Sequence, residues 1–299
     1  MTPDTQAIVE SWSPPIGVNV ALALATLVYV RGWLSLHGAF PKLISAWRLA
    51  AFLAGIASVW IAIASPLNAF DDVSLTVHMT QHLLLMAIAP ALILLAAPAL
   101  PILRGLPQSI VRMAVAPALR WNPVKWLGRS LTNPAICWLA AALALIGWHI
   151  PAVFDLALRW SWLHELEHAS FFAAGLLFWW PVIQPWPSVA RWPRWSIPLY
   201  LFCATLPCDL LSGFLVFCDR VVYSSYLSTP SPFNISPLQD QQFAAALMWT
   251  CATIIFLLPA VVVTMQLLSP QQEYSPTAAE AEFPGIASES LRESGLEVV

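Results

Sequence analysis

The sequence predicts an all-α integral membrane protein, a seven-transmembrane-helix bundle. Of its 299 residues, 59% are hydrophobic and only 10% are charged, whereas a soluble domain carries about 25% charged residues. Seven hydrophobic segments approach the roughly 20 residues that a helix needs to cross a bilayer. Because the hydrocarbon core offers the backbone no hydrogen-bond partners, each segment is expected to form a helix.

The seven segments divide the chain into three parts. The predicted membrane domain covers 16–268, after an N-terminal segment of 1–15 and before a tail of 269–299. The tail is acidic and poor in aromatic residues, which predicts disorder. Pro90 and Pro207 fall inside the third and sixth segments and predict kinks there. In chain order, the segments lie near 16–36, 46–65, 75–100, 133–150, 163–183, 195–217 and 241–267.

The basic residues predict the orientation of the chain. Cytoplasmic loops of membrane proteins carry an excess of Lys and Arg, and eleven of the thirteen basic residues lie on one predicted side. Only Arg159 and Arg220 lie on the other side. We therefore expect the N-terminus outside and the C-terminus in the cytoplasm, with a short outer loop at about 151–162.

Five of the six histidines fall at the predicted outer ends of the segments. They form two pairs spaced i,i+4 and a single residue, and that spacing puts both imidazoles of a pair on one helix face. Ionisable residues inside a membrane are costly, so they are functional candidates. The pattern predicts a shared metal or proton site near the outer surface. The five residues are His78, His82, His149, His164 and His168.

The depth of other polar and sulfur-bearing residues extends this predicted site. A helix rises 1.5 Å per residue, which places His82 and His168 roughly 10 Å below the outer boundary. The same count puts Cys208, Asp209 and Met248 in that layer. An unpaired carboxylate at such depth costs about 3 kcal/mol, so Asp209 is expected to have a partner, either a protonated or metal-bound His or a Ser or backbone group.

The stretch His164-Glu165-Leu166-Glu167-His168 also matches the H-E-x-x-H helix of zinc peptidases. The further ligands predicted nearby are imidazoles, a thiol and a thioether, which favour Cu(I) over catalytic zinc. With copper, the two Glu residues and Gln81 would orient imidazoles or attract cations.

Two alternatives stay open at this point. In an intramembrane zinc peptidase, Glu165 would be the general base beside His164 and His168. In a bis-His b-type cytochrome, His82 and His168 would be the axial ligands of a haem between facing helices.

Three stretches, at 78–98, 148–182 and 237–249, resemble the CtaG-type multi-span assembly factors of caa-class cytochrome c oxidases. The resemblance implies an inner-membrane protein, not an enzyme, that helps a haem–copper oxidase to acquire copper at its binuclear centre. Asp155 and Asp240 match the family's carboxylate-bearing loop and D-Q-Q motif, and Ala97 and Ala245 stand where Gly is expected. The family's histidine motifs match His78, His82, His149, His164 and His168.

These observations predict a metallochaperone function for respiratory-chain biogenesis. Copper, as Cu(I), is expected to arrive from the periplasmic side, with a soluble carrier attracted by Asp71, Asp72 and Asp155 as one donor. It would bind in the histidine cluster and be passed laterally, by direct contact within the lipid bilayer, to the oxidase catalytic subunit. There is no basic patch with interleaved aromatic residues, so we expect no nucleic-acid partner.

Overall fold

The fold is helical throughout the part of the chain that the structure describes. A computed structural model describes residues 6–7, 9–10, 12–38, 40, 44–123, 128, 133–185, 192–228 and 234–269, and no strand occurs among them. The chain divides into two compact units, Met1–Thr264 and Met265–Val299. Of the second unit, the described residues are the end of the last helix and Ser269, so the predicted disordered tail lies outside the described residues.

The predicted all-helical fold is confirmed, and most segment boundaries agree within a few residues. Among the described residues, the six helices that begin at Ile16, Ala46, Leu75, Ser161, Ser196 and Pro237 are long and apolar enough to cross a membrane. The longer described helices are α1 (Ile16–His37), α2 (Ala46–Ile63), α3 (Leu75–Leu95), α4 (Ala99–Gly105), α5 (108–120), α6 (Pro134–Trp148), α7 (Pro151–Arg159), α8 (Ser161–Ile183), α9 (Ser196–Phe217) and α10 (Pro237–Leu268).

The fourth predicted segment differs from the expectation. Helix α6 has 15 residues, which is shorter than the roughly 20 that span a bilayer. Helix α7 follows at once, bent by 76° from α6, and the pair qualifies as a seventh, broken span or a re-entrant loop. Within the loop predicted over 151–162, the residues Pro151–Arg159 thus form a helix. Pro151 is the first residue of α7, a position that Pro suits, and Phe154 is buried beneath the helix.

The third segment also ends earlier than predicted, at Leu95 instead of 100. Ala97 follows with φ 48°, a left-handed conformation that glycine adopts at the lowest cost. Pro98 then separates α3 from α4. The resemblance made Gly the expected residue at position 97, and the local backbone supplies a physical reason for that expectation.

Helix α3 changes its winding in the middle. Leu84–Ile88 form a π-helical turn just before Pro90, where a kink was predicted. Because Pro lacks an N–H and its ring crowds the preceding turn, a local change of winding fits this position. Helix α9, in contrast, remains α-helical across Pro207.

Helices α3 and α8 approach each other closely at Gly175. A Cβ atom added there would overlap the carbonyl oxygen of Met86 and the ring of Pro90. Small residues at such contacts allow two helix backbones to pack closely in membrane proteins. This contact lies below the first turns of both helices, which carry the four paired histidines.

We predict that Gly175→Ala destabilises the protein. The added methyl group must push α8 away from the backbone of α3, and overpacking of this kind costs roughly 1–3 kcal/mol. Thermal unfolding of detergent-purified protein, followed by circular dichroism, measures the effect. Gly147→Ala on α6 is the matched control, because its added Cβ has no neighbour within 4 Å. Equal changes in the two variants would contradict the close contact.

Candidate metal centre

The first turn of α3 is fixed by a carboxylate from α10. Asp240 accepts hydrogen bonds from the backbone N–H of Leu75 at 2.6 Å and of Thr76 at 3.3 Å, and also from the hydroxyls of Ser74 and Thr76. The first N–H groups of a helix have no partner within it, and a negative charge is favourable there. Asp240 therefore sets where α3 begins, one turn before His78.

The structure brings the five predicted histidines together. His78 and His82 project from α3, and their ring centroids are 4.4 Å apart. On α8, the rings of His164 and His168 are 4.3 Å apart. Across the two helices, the His78 ring lies 5.3 Å from that of His164 and 6.2 Å from that of His168. The His149 ring lies 5.9 Å from that of His82.

Glu167 occupies the centre of this histidine cluster. Its Oε1 lies 3.3 Å from Nε2 of His82 and 3.6 Å from Nε2 of His78. One ligand atom from each of these three residues lies within 4.8 Å of the other two. Glu167 and His78 have no exposed surface, and His82 is also buried.

The cluster holds most of the buried polar atoms that have no hydrogen-bond partner among the described residues. These atoms are both ring nitrogens of His78 and His82, Nε2 of His164 and His168, and both carboxylate oxygens of Glu167. The short distances from Glu167 to His78 and His82 thus lack hydrogen-bond geometry. Unpaired buried polar groups are rare in folded proteins and call for an explanation, such as an ion.

One side of the cluster reaches the surface through His164. Its side chain is 16% exposed, and its Nε2 lies 3.8 Å from Oδ2 of Asp71. Burial, together with the neighbouring charge of Asp72, raises the pKa of Asp71 to about 7. Tyr226 donates a hydrogen bond to the backbone carbonyl of Asp71. This edge is the least buried part of the cluster.

The opposite side of the cluster adjoins a cavity of about 60 Å³. His82 and His149 line it together with Cys208 and Met248, the sulfur-bearing residues that were predicted at this depth. The thiol of Cys208 lies 3.9 Å from the hydroxyl of Ser212 and from the carbonyl oxygen of Met248. The remaining lining is largely apolar and aromatic.

The other predicted acidic residues lie outside the cluster. Glu165 is exposed, so it does not share the position of Glu167. Asp155 accepts hydrogen bonds from Ser224 and Ser225. Asp209 was expected to have a partner, but its Oδ1 is buried without one among the described residues. It does not line the cavity, because Cys208 occupies that face of α9.

Gln81 forms hydrogen bonds to the end of α2 and to Asn68, not to an imidazole. Its Nε2 donates to the carbonyl of Ala62 at 2.7 Å and to Oδ1 of Asn68 at 3.2 Å, and it also lies 3.5 Å from Oδ2 of Asp71. It therefore ties α3 to the end of α2. Its Oε1 is buried without a hydrogen-bond partner among the described residues.

Two residues that the sequence reasoning missed also shape the site. Met79 is 1% exposed, and its sulfur lies 3.2 Å from Nε2 of His149. Gln241 accepts a hydrogen bond from the N–H of Val222 and donates to the carbonyls of Leu215 and Arg220. Gln241 thereby holds the connection that follows α9. In that connection, the hydroxyl of Tyr223 donates a hydrogen bond to the carbonyl of His149. The H-M-x-x-H and D-Q-Q patterns contain both residues.

A family comparison matches most of the chain. The family described as cytochrome c oxidase caa3 assembly factor (Caa3_CtaG) matches residues 27–269, well over half of the chain. The chain belongs to the Caa3_CtaG family. The match covers the helices from α2 to α10, and therefore every histidine of the cluster.

Curated relatives of this Caa3_CtaG protein occur in mycobacteria. Uncharacterized proteins of Mycobacterium bovis and Mycobacterium tuberculosis are each 25% identical over 259 residues, covering 83% of this chain and 38% of theirs. An uncharacterized protein of Mycobacterium leprae is 24% identical over 226 residues, covering 74% of this chain and 34% of its own. The chain thus spans little more than a third of these relatives. No solved structure matches it.

In this Caa3_CtaG protein, we predict that Asp240→Ala destabilises the fold more than Asp155→Ala. Asp240 is 5% exposed and supplies the hydrogen bonds that begin α3, and losing a helix cap costs about 0.5–2 kcal/mol. Asp155 bonds only serine hydroxyls, one of them exposed. Thermal unfolding in detergent compares the two variants. An equal or smaller loss for Asp240→Ala would show that α3 begins independently of α10.

Proposed function

We propose that this assembly factor binds copper as Cu(I) in the histidine cluster and assists its delivery to the binuclear centre of a haem–copper oxidase. The observation that carries the proposal is the group of unpartnered ligand atoms on His78, His82, Glu167 and His168. These atoms are buried and converge from two helices, so a bound cation would supply the partners that the protein does not. Family membership supports the oxidase as the recipient.

The ligand chemistry favours Cu(I) over other metals. Imidazole suits copper and zinc alike, but thiol and thioether groups select Cu(I), and Cys208 and Met248 line the cavity beside His82 and His149. The cluster offers more nitrogen donors than one Cu(I) ion needs. Exchange of one ligand at a time would then permit both loading and release.

The observed positions support neither alternative function. A peptidase needs Glu165 beside the metal as general base, but Glu165 is exposed while the cluster is buried. A bis-His haem needs an open slot between its two axial imidazoles. The His82 ring instead packs 4.2 Å from Phe171 and 4.4 Å from His78, measured between centroids.

The route that we propose follows the charge distribution. The excess of basic residues on one predicted side of the membrane supports an outer N-terminus in a bacterial inner membrane, with the cluster towards the periplasm. A soluble Cu(I) carrier would approach at Asp71 and Asp72, next to His164. Copper would leave laterally, within the bilayer, to the oxidase catalytic subunit. No step breaks or forms a covalent bond in a substrate, so the protein would not act as an enzyme.

We expect purified protein to bind about one Cu(I) under reducing conditions and to prefer it to Zn(II). His82→Ala should abolish binding because it removes a central ligand. Glu167→Gln should weaken binding by about 10- to 100-fold. Glu165→Gln is the matched control, since it makes the same change on the same helix at an exposed position. Competition with a chromogenic Cu(I) chelator measures the affinities.

A cellular measurement separates delivery from binding. Cells with His82→Ala should assemble an oxidase that contains its haems but lacks binuclear-centre copper, as determined by metal analysis and absorption spectroscopy. Normal oxidase copper in that strain would exclude the proposed delivery. Zinc bound in preference to Cu(I), together with a peptidase activity that requires Glu165, would replace the proposal with the protease alternative.

A further inference from the structure

Met79 and His149 make a contact that does not involve Glu167. Met79 leaves α3 on a different side from the histidine pair, and its Sδ lies 3.2 Å from Nε2 of His149. His149 is 5% exposed and Met79 is 1% exposed. The pair is therefore sealed inside the protein, beside the ring of His82.

The protonation of His149 makes this contact unusual. Nδ1 of His149 lies 2.7 Å from the carbonyl oxygen of Leu145, and a carbonyl can only accept a hydrogen bond. A neutral imidazole has one N–H, so that proton is on Nδ1 and a lone pair is on Nε2. The lone pair points to a thioether sulfur, which is also an electron-pair donor and a weak acceptor.

Two electron-pair donors that face each other, here Nε2 of His149 and Sδ of Met79, can both bind one soft metal ion such as Cu(I). A metal bonded to nitrogen at about 2.0 Å and to sulfur at about 2.3 Å in tetrahedral geometry holds these atoms roughly 3.5 Å apart. The observed 3.2 Å is close to that separation. The carbonyl of Leu145 also fixes the tautomer and ring orientation of His149, as second partners of metal-bound imidazoles do.

We propose that Met79, His149 and His82 form a second Cu(I) station, next to the one formed by His78, His82 and Glu167. This inference rests on the proposed copper function and adds the thioether of Met79 as a ligand. His82 belongs to both stations, because its Nε2 lies 3.3 Å from Glu167 and its ring centroid lies 5.9 Å from that of His149.

The two stations differ in chemistry, which gives transfer a direction. The first includes a carboxylate and lies nearer His164 and Asp71, the exposed edge of the cluster. The second has two imidazoles and a thioether, and soft ligands of this kind select Cu(I). Copper would move from the first to the second by exchanging Glu167 and His78 for Met79 and His149, while His82 stays bound. The second station borders the cavity that contains Cys208 and Met248.

The test is X-ray absorption spectroscopy at the copper edge on full-length protein loaded with one equivalent of Cu(I). The wild type should show one sulfur neighbour at about 2.3 Å beside nitrogen neighbours. Met79→Leu should remove the sulfur neighbour and weaken Cu(I) binding by about tenfold. Met–Leu exchange conserves volume and is tolerated well in packed cores. Met86→Leu, the same change on the same helix, is the matched control and should retain the sulfur neighbour.

The remaining outcomes distinguish this inference from the function on which it rests. Copper bound with no sulfur neighbour in the wild type would overturn the second station and leave the copper function intact. Loss of the sulfur neighbour in Met248→Leu or Cys208→Ala, but not in Met79→Leu, would also overturn it. Failure of the wild type to bind Cu(I) at all would refute the copper function itself. An unfolding temperature of Met79→Leu equal to that of the wild type would show that the variant is folded.

Discussion

The close parallel contact between α3 and α8 is the constraint on which the candidate site depends. Both helices begin at the same end of the first compact unit, so their i,i+4 histidine pairs meet. Gly175 brings the two backbones together at Met86, and Asp240 fixes the start of α3. The resulting cluster buries unpaired polar atoms, each costing about 1–3 kcal/mol, which the packing of the surrounding helices must offset.

This cost has a functional meaning. A protein that only needed to fold would fill these positions with apolar residues, because replacing buried polar groups by apolar ones of similar shape is often stabilising. The cluster instead consists of imidazoles and one carboxyl group, most of them buried. Such an arrangement gains stability when a cation binds, so loading with metal and stability of the fold are coupled.

Much of the fold and part of the site could be predicted from the sequence. Hydrophobic length gave the long helices, and the fixed rise per residue placed His82, Cys208 and Met248 in one layer; these three residues line one cavity. The i,i+4 spacing identified which histidines share a face. The bend between α6 and α7 was missed, since the hydrophobic pattern of 133–150 and the turn-like Ile150-Pro151 do not encode the 76° angle.

Other site residues could not be predicted because helix geometry leaves them equivalent. With about 100° per residue, Glu165 and Glu167 lie about 80° on opposite sides of the midline between His164 and His168. Only the position of α3 in space makes one central and the other exposed. Met79 and Gln81 flank the other histidine pair in the same way. Neighbouring helices, which the local sequence does not specify, decide their roles.

The π-helical turn at Leu84–Ile88 separates the part of α3 that carries His78 and His82 from the rest of the helix. Gly175 of α8 packs against Met86 inside this turn, and Gly55 of α2 packs against the part of α3 that follows it. The part before the turn carries His78 and His82 and is itself held by Asp240 and Gln81. A π-helical turn has one residue more than an α-helical turn, so it rotates the ligand-bearing part of α3 relative to the part that follows. In this orientation, one ligand atom from each of His78, His82 and Glu167 lies within 4.8 Å of the other two.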